Sequence, residues 1–356
     1  MVTATLTRVG HVLRTAAQFP IIATVGVVSL FQPVLESVGL LSSPAAPEGD
    51  LRGKTVLVTG GTSGVGLATA CRLCRMGATV VVTGRDPERL ARAVAAVLER
   101  AGASGGSARG EALDLCSLAS VRDCARRLAR EGRAVDVVVL NAGTNANVPT
   151  ALHADLGDTS LVFGVNFVAQ WLLLTLLRPV LPEGARLVCL SSVAHHQAVP
   201  RTFGTAKADY AESKLAMNLL ARAASRGDLL GPKLVAVAVN PGAVDSDIWR
   251  HVWFPLDRVL AAVSRLAFLT NDEGAATSVV AASSPRVPLG PDGLPAYLAP
   301  FWSPARGPAR SAFEYLGVFV GAAPAFERLP DDEARVAADL FATCAALAGD
   351  FAAPLA

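Results

Sequence analysis

The sequence predicts an α/β protein built on a doubly wound parallel sheet with helices on both faces. Short apolar runs rich in β-branched residues alternate with helical patterns, at a spacing typical of strand–helix–strand units. A glycine-rich turn follows the first run, and polar residues follow the later ones. Crossovers of this length give parallel strands. The polar residues should therefore share the carboxyl edge of the sheet, where open α/β sheets bind ligands.

Composition narrows the class of protein. The 356 residues carry a net charge of +2, and the arginines and lysines are scattered, so no nucleic-acid-binding surface is expected. Hydrophobic residues make up 52% of the chain and charged residues only 17%, which favours association with a membrane. The six cysteines show no spacing of a disulfide framework, which favours reduced thiols facing the cytosol.

The first predicted strand, Thr55–Val58, runs into a glycine-rich turn, and a helix is predicted over 67–76. In this context the N-terminus of a helix binds the phosphates of a dinucleotide. A glycine can form the tight turn, a second lets the backbone approach the pyrophosphate, and a third allows the helix to pack closely on the strand. The predicted phosphate-binding residues are Gly60, Thr62, Ser63, Gly64, Val65 and Gly66.

The second strand, predicted over 79–83, bears on the choice of cofactor. An acid after this strand binds a free ribose 2′-hydroxyl, whereas an arginine accommodates a 2′-phosphate. Arg85 comes first here, so we expect NADP(H) rather than NAD(H). Asp86 is the rival residue, but its place before Pro87 suits the cap of a helix over 88–100. A merely solvated Arg85 is the other alternative.

Polar residues lie at or near the ends of the remaining predicted strands. After a Gly/Ser-rich loop over 101–110, strands are predicted over 111–115, 135–140, 186–190 and 234–239, with helices over 117–131 and 162–177. The residues at or near the strand ends are Asp114, Asn141, Ser191, Ser192 and Asn240, and Asn166 lies in the second of these helices. This regularity indicates an enzyme.

Tyr210 and Lys214 are candidate catalytic residues. A helix places residues four apart on one face, so the two side chains should be neighbours. An ammonium beside a phenol stabilises the phenolate and is expected to lower its pKa from about 10 toward neutrality. Such a tyrosine can give a proton to a carbonyl or take one from an alcohol.

Two other chemistries are less well supported. His195 and His196 are adjacent but have no further ligands at useful spacing, so no metal is expected. Ser192 lies near both histidines, yet no G-x-S-x-G sequence supports a serine hydrolase.

Taken together, these residues resemble the short-chain dehydrogenases/reductases over about 51–286, whose fold is of the Rossmann type. The resemblance rests on T-G-x-x-x-G-x-G at 59–66, Asp114-Leu115, N-A-G at 141–143, Asn166, Ser192, Tyr210 with Lys214, and N-P-G at 240–242. Leu140 stands where the family commonly has a first asparagine before N-A-G.

The resemblance implies a role for each residue. Tyr210 would be the general acid/base, Lys214 would hold the nicotinamide ribose and lower the Tyr210 pKa, and Ser192 would bind the substrate oxygen. Asn166 would hold a water that links Lys214 to solvent. The other cofactor contacts implied are Asp114 and Leu115 by the adenine, Asn141, Ala142 and Gly143, and Pro241, Gly242 and Val244 by the carboxamide.

Finer features resemble the retinol-dehydrogenase-like branch, through Ser-Ser-Val-Ala-His at 191–195, and a membrane-associated member that acts on polyprenyl chains, through 240–251 and 270–275. They imply an oxidoreductase of lipid metabolism that reduces a lipophilic aldehyde or ketone, or oxidises the alcohol; the substrate would be retinoid-, polyprenoid- or sterol-like. A non-catalytic dinucleotide-binding scaffold or sensor is the alternative.

Four parts of the chain are expected: a hydrophobic segment over 1–41, a linker over 42–50, the NADP-binding reductase domain over 51–286, and an extension over 287–356 that completes the substrate side. Residues 15–35 are uncharged and just long enough to span a bilayer. Three interpretations stay open: a membrane anchor, a cleaved targeting peptide, and a helix packed on the enzyme. The first places the protein on the endoplasmic reticulum or a similar membrane, with its catalytic domain facing the cytosol.

An apolar, aromatic stretch over 248–269 follows the N-P-G motif. Its position suits a lid over an apolar substrate, and its arginines could meet anionic lipid headgroups. Surface helices packed on the domain are the alternative. The sequence leaves the oligomeric state open.

Overall fold

The computed structural model describes residues 49–145, 151–227, 233–242, 244, 269–290, 292–295, 297–299, 323–324 and 329–355. The hydrophobic segment over 1–41 and nearly all of the aromatic stretch over 248–269 lie outside these residues. Among the described residues, no helix has the length and apolar character needed to cross a bilayer.

A single sheet organises the chain, in the order β3-β2-β1-β4-β5-β6-β7-β8. The first seven strands pair in parallel, and β8 is antiparallel to β7 at the edge. The strands are β1 Thr55–Val58, β2 Thr79–Gly84, β3 Ser107–Ala112, β4 Val137–Leu140, β5 Arg186–Leu190, β6 Val235–Val239, β7 Leu298–Ala299 and β8 Ala323–Pro324. The order reverses direction between β1 and β4, which places a ligand-binding crevice above their carboxyl ends. The predicted doubly wound fold is confirmed.

Helices cover both faces of the sheet and bury its apolar side chains in two clusters. They are α1 Gly64–Arg75, α2 Pro87–Ala101, α3 Leu118–Arg130, α4 (Leu161–Phe163, a π-helical turn Gly164–Val168, then Ala169–Leu176), α5 Tyr210–Arg226, α6 Asn271–Gly274, α7 Ala276–Ser283 and α8 Glu333–Ala348. Single 3₁₀ turns lie at Arg178–Val180, Val193–Gln197, Pro200–Thr202 and Gly349–Ala352.

The third strand was predicted four residues too late. The apolar residues Leu113 and Leu115 suggested a strand over 111–115, but β3 lies at Ser107–Ala112 and includes the end of the predicted loop. Its polar composition suits an edge strand, because only β2 pairs with it and one face meets solvent. Leu113 and Leu115 are buried after the strand ends, where the chain turns toward α3.

The C-terminal helix α8 packs on α4 and α5. Leu340, Phe341 and Cys344 are buried in the same cluster as the apolar side chains of α4 and α5. At its start, Glu333 accepts hydrogen bonds from Arg222 and Arg226 of α5. The extension is therefore joined to the helix that carries the candidate catalytic residues.

Candidate active site

The glycine turn has the backbone geometry that a phosphate cradle requires. Gly60 and Gly64 have φ values of +62° and +57°, a region that residues with a Cβ rarely adopt. A Cβ on Gly60 would lie 2.9 Å from Ala142 Cα, so the turn passes directly against the chain after β4. No acidic side chain lies in the first turn of α1, so the N–H groups at the start of this helix can donate hydrogen bonds to an anion. These features fit a dinucleotide.

Thr59 holds the glycine turn against the N-A-G segment. Its buried hydroxyl accepts hydrogen bonds from the Asn141 N–H at 2.9 Å and the Ala142 N–H at 3.0 Å. The Asn141 side-chain amide donates to the carbonyls of Thr59 at 2.8 Å and Gly60 at 3.2 Å. A Cβ on Gly66 would lie less than 3.0 Å from that amide. The two motifs therefore form one interlocked unit.

Gln170 of α4 completes this unit. Its Oε1 accepts the Thr59 hydroxyl at 2.6 Å, and its Nε2 donates to the carbonyls of Ala142 at 2.9 Å and Asn166 at 2.7 Å. The side chain is fully buried, so these partners satisfy it in the absence of bulk water. The sequence analysis missed Gln170. Its only signal is a second side-chain amide in an apolar helix, one helical turn after Asn166.

The residues expected to meet the adenosine follow the neighbouring strands β2 and β3: Arg85, Asp86 and Asp114. Asp86 is the N-cap of α2 and accepts the Arg89 N–H at 3.0 Å, as its position before Pro87 predicted. Arg85 is exposed and free of that task. Burial raises the pKa of the Cys116 thiol, the charge of Asp114 raises it further and the charge of Arg85 opposes the rise, so Arg85 and Asp114 both lie near Cys116.

Asn166 is fixed by contacts within the protein. It lies in the π-helical turn, fully buried, and its Oδ1 accepts the Thr144 N–H at 2.7 Å. Its Nδ2 donates to the Thr144 carbonyl at 2.9 Å and to the Ser213 hydroxyl at 3.2 Å. Asn166 thus ties the end of the N-A-G segment to α5. The water-holding role expected for it stays a prediction.

The structure brings Ser192, Tyr210 and Lys214 together. Tyr210 opens α5, whose N-cap is Asp209, and the Ser192 side chain is close enough to lower the pKa of its hydroxyl. The Lys214 ammonium lies 5.2 Å from the centre of the Tyr210 ring and donates to the Leu190 carbonyl at 2.9 Å. A Cβ on Gly143 would lie 3.6 Å from that ammonium, so the N-A-G segment borders it directly.

Burial governs the charge of this group. It raises the pKa of Tyr210 to about 12, and the hydrogen bond to Ser192 opposes the rise only in part. It also lowers the pKa of Lys214 to about 8. The sequence led us to expect that Lys214 brings the Tyr210 pKa toward neutrality; here the pKa moves the other way, because burial disfavours the phenolate and only Ser192 opposes the rise.

The segment after β6 lies near the glycine turn. The Asn240 side chain accepts the Gly242 N–H at 3.0 Å, and Gly242 has a φ of +82°. A Cβ on Gly274 would lie less than 3.0 Å from Val244 and 3.3 Å from Val65 of the glycine turn. Pro241, Gly242 and Val244 thus lie beside the start of α1.

Asn271 is a second residue that the sequence analysis missed. Its buried Oδ1 has no hydrogen-bond partner among the described residues, and a Cβ on Gly64 would lie only 3.6 Å from it. An amide oxygen without a partner beside the glycine turn is a further feature that fits a bound dinucleotide, whose groups could donate a hydrogen bond to it.

Comparison with known proteins agrees with this geometry. The family model described as short chain dehydrogenase matches residues 54–254. Polyprenol dehydrogenase of Mus musculus is 34% identical over 249 residues, covering 66% of this chain and 73% of the relative. Retinol dehydrogenase 14 of Homo sapiens is 35% identical over 266 residues, covering 67% and 76%.

Two solved structures share the fold. An uncharacterised protein from Mycobacterium paratuberculosis gives a TM-score of 0.60 at 26% identity, over 86% of this chain and 97% of the other. An angucycline C-6 ketoreductase with bound NADP gives 0.52 at 27% identity, over 66% and 90%. The chain belongs to the short-chain dehydrogenase/reductase family, in its retinol-dehydrogenase-like branch, and is an NAD(P)-dependent oxidoreductase of alcohol and carbonyl groups.

Proposed function

We propose that this chain is an NADP(H)-dependent enzyme that reduces lipophilic aldehydes or ketones, or oxidises the corresponding alcohols. One observation carries the proposal: Ser192 is close enough to the Tyr210 hydroxyl to lower its pKa, and the Tyr210 ring centre lies 5.2 Å from the Lys214 ammonium, beside the N-A-G segment. A proton donor, a second hydroxyl and a cation are thus present at the carboxyl end of β5, next to the dinucleotide cradle.

Each side chain has a distinct task. The bound dinucleotide supplies or accepts a hydride at its nicotinamide. Tyr210 gives a proton to the substrate oxygen during reduction and takes it back during oxidation, and Ser192 donates a hydrogen bond that holds the same oxygen. Lys214 stabilises negative charge on the Tyr210 oxygen and binds the nicotinamide ribose. Asn166 fixes the surrounding backbone through Thr144 and Ser213.

The cofactor would be held along the carboxyl edge of the sheet. Gly60, Thr62, Ser63, Gly64, Val65 and Gly66 would hold the pyrophosphate; Asp114 and Leu115 would border the adenine; and Pro241, Gly242 and Val244 would meet the carboxamide. Exposed Arg85 would bind a 2′-phosphate, because Asp86 is already engaged as a helix cap. NADP(H) is accordingly proposed over NAD(H).

Lipophilic substrates are proposed from the names of the relatives, which act on retinol or polyprenol, and from the apolar stretch over 248–269.

Membrane association is proposed from residues 15–35, with the catalytic domain facing the cytosol. Carbonate extraction of membranes containing the full chain tests this second point. Release of the protein into the soluble fraction would refute a spanning anchor.

The mechanism is tested by oxidation of NADPH with retinal, polyprenal and medium-chain aldehydes. Tyr210→Phe removes the transferable proton and leaves the ring in place, so turnover should fall at least a thousandfold, within the range that removal of a general acid costs, while NADPH still binds. Full activity of this variant would refute the role of Tyr210. Failure of the wild-type chain on every aldehyde, with NADPH bound, would favour the non-catalytic scaffold.

A further inference from the structure

A buried carboxylate lies within the catalytic turn of α5 and has no part in the chemistry above. Glu212 is 2% exposed and stands between Tyr210 and Lys214 in sequence. Its Oε2 accepts the N–H of the N-cap Asp209 at 3.1 Å, and the Asp209 carboxylate caps the helix in return. Its Oε1 accepts the N–H of Val199 at 2.9 Å, thirteen residues earlier in the chain.

The second of these bonds reaches the part of the chain that borders the site. Residues 193–203, here called the connecting segment, begin directly after Ser192 and form two 3₁₀ turns. The segment packs on α5. At its far end the ring of Phe203 stacks on that of Phe163 of α4, with 5.7 Å between the ring centres. Because Ser192 precedes it and Tyr210 soon follows it, its placement shapes the space next to both hydroxyls.

We propose that Glu212 is a positioning residue for the substrate: its ionised carboxylate holds the connecting segment against the start of the catalytic helix. This inference rests on the proposed function, because it assumes that a substrate binds beside Ser192 and Tyr210. A carboxylate suits the task, since it offers an acceptor to each of two N–H groups at once.

The surroundings of Glu212 make its hydrogen bonds to the connecting segment and to the start of α5 sensitive to pH. Burial, together with the hydrogen bond and the charge of Asp209, raises the pKa of Glu212 to about 7, and the hydrogen bonds from the N–H groups of Val199 and Asp209 oppose the rise. Protonation turns one oxygen into a donor, so one N–H loses its acceptor as the pH falls below about 7. The other described ionisable side chains on the packed elements are Tyr210, Lys214, Arg222 and Arg226 on α5, His195 and His196 on the connecting segment, and Glu333, Arg335, Asp339 and Cys344 on α8.

The test compares Glu212→Gln with the wild-type chain. The amide keeps the volume but presents N–H₂ to one of the two N–H groups, so KM for the aldehyde should rise about tenfold, the cost of one hydrogen bond, while KM for NADPH and kcat stay within about threefold. Wild-type KM should fall as the pH rises through 7, and the variant should not show this change. Glu333→Gln, on α8 and bonded to the far end of α5, is the control and should retain the wild-type pH dependence.

Hydrogen exchange supplies a readout that needs no turnover. Corrected for intrinsic rates, amides of the connecting segment should be protected in the wild-type chain above pH 7 and lose protection in Glu212→Gln, with regions other than this segment and the start of α5 unchanged. Unchanged protection in the variant overturns the proposal, whatever the activity. So does an equal rise in both KM values with exchange increased throughout, which marks a purely structural role. Absence of turnover in the wild-type chain refutes the proposed function instead.

Discussion

Replacing Gly66 by alanine tests whether the glycine turn and the N-A-G segment form one unit. A Cβ at this position would lie less than 3.0 Å from the Asn141 amide nitrogen and from the Gly60 carbonyl oxygen. To relieve both contacts, the Gly60 backbone must shift, which displaces the turn, and the Asn141 side chain must move away. Its hydrogen bonds to the carbonyls of Thr59 and Gly60, at 2.8 and 3.2 Å, are then lost.

The size of the effect follows from these contacts. Two lost hydrogen bonds cost about 1 kcal/mol each, and inserting a methyl group into a packed site costs ~1–3 kcal/mol. Alanine returns about 1 kcal/mol through its higher helix propensity. The free energy of unfolding should therefore fall by about 2–4 kcal/mol. Because the turn that carries the phosphate is displaced, the Kd for NADPH should rise at least tenfold, or ~1.4 kcal/mol.

Urea unfolding and fluorescence titration of NADPH measure the two effects separately. Gly53→Ala is the control, since its φ of +75° is also unfavourable for alanine but no atom lies within 4 Å of the added methyl. It should cost ~1–2 kcal/mol of stability and leave NADPH affinity unchanged. A Gly66→Ala chain as stable as the wild type, with unchanged affinity, would refute the interlocked arrangement.

Three further outcomes are expected. Arg85→Asp should lower the ratio of kcat/KM for NADPH to that for NADH about a hundredfold, because an arginine–phosphate pair becomes a repulsion; an unchanged ratio would argue against Arg85 as the phosphate ligand. Gln170→Leu should cost ~2–4 kcal/mol in urea unfolding, since the Thr59 hydroxyl and two carbonyls lose their partner, and a neutral result would contradict the network. Because the Tyr210 pKa is raised to about 12, alcohol oxidation should accelerate as the pH rises above 7 while reduction does not, which a pH–rate profile in both directions can contradict.

The sequence predicted best those elements whose side chains are buried on both faces. β1 at Thr55–Val58 and β5 at Arg186–Leu190 have the predicted bounds, because a continuous apolar run is what a central parallel strand requires. β3 was misplaced because its position depends on pairing with β2, and a one-sided edge strand needs no apolar run. The hydrogen bonds between β2 and β3 therefore set the position of β3, which the composition of the segment does not reveal.

The site shows the same division. Motif spacing predicted that Ser192, Tyr210 and Lys214 would meet, since helical periodicity and strand order bring them together. It could not predict Gln170, whose partner Thr59 lies 111 residues away. Nor could it predict the Tyr210 pKa, because spacing gives proximity to Lys214 but not the degree of desolvation.

The first turn of α5 explains why an i, i+4 pair is only part of this site. Successive residues along that turn point in directions about 100° apart, and four of them contact three different parts of the chain. Tyr210 meets Ser192 after β5, and Lys214 donates to the Leu190 carbonyl at the end of β5. Glu212 reaches the connecting segment, and Ser213 accepts from Asn166 in the π-helical turn. A single helical turn therefore sets the relative positions of the strand end, the π-helical turn and the connecting segment, so changes at the non-reacting positions should alter the site through geometry alone.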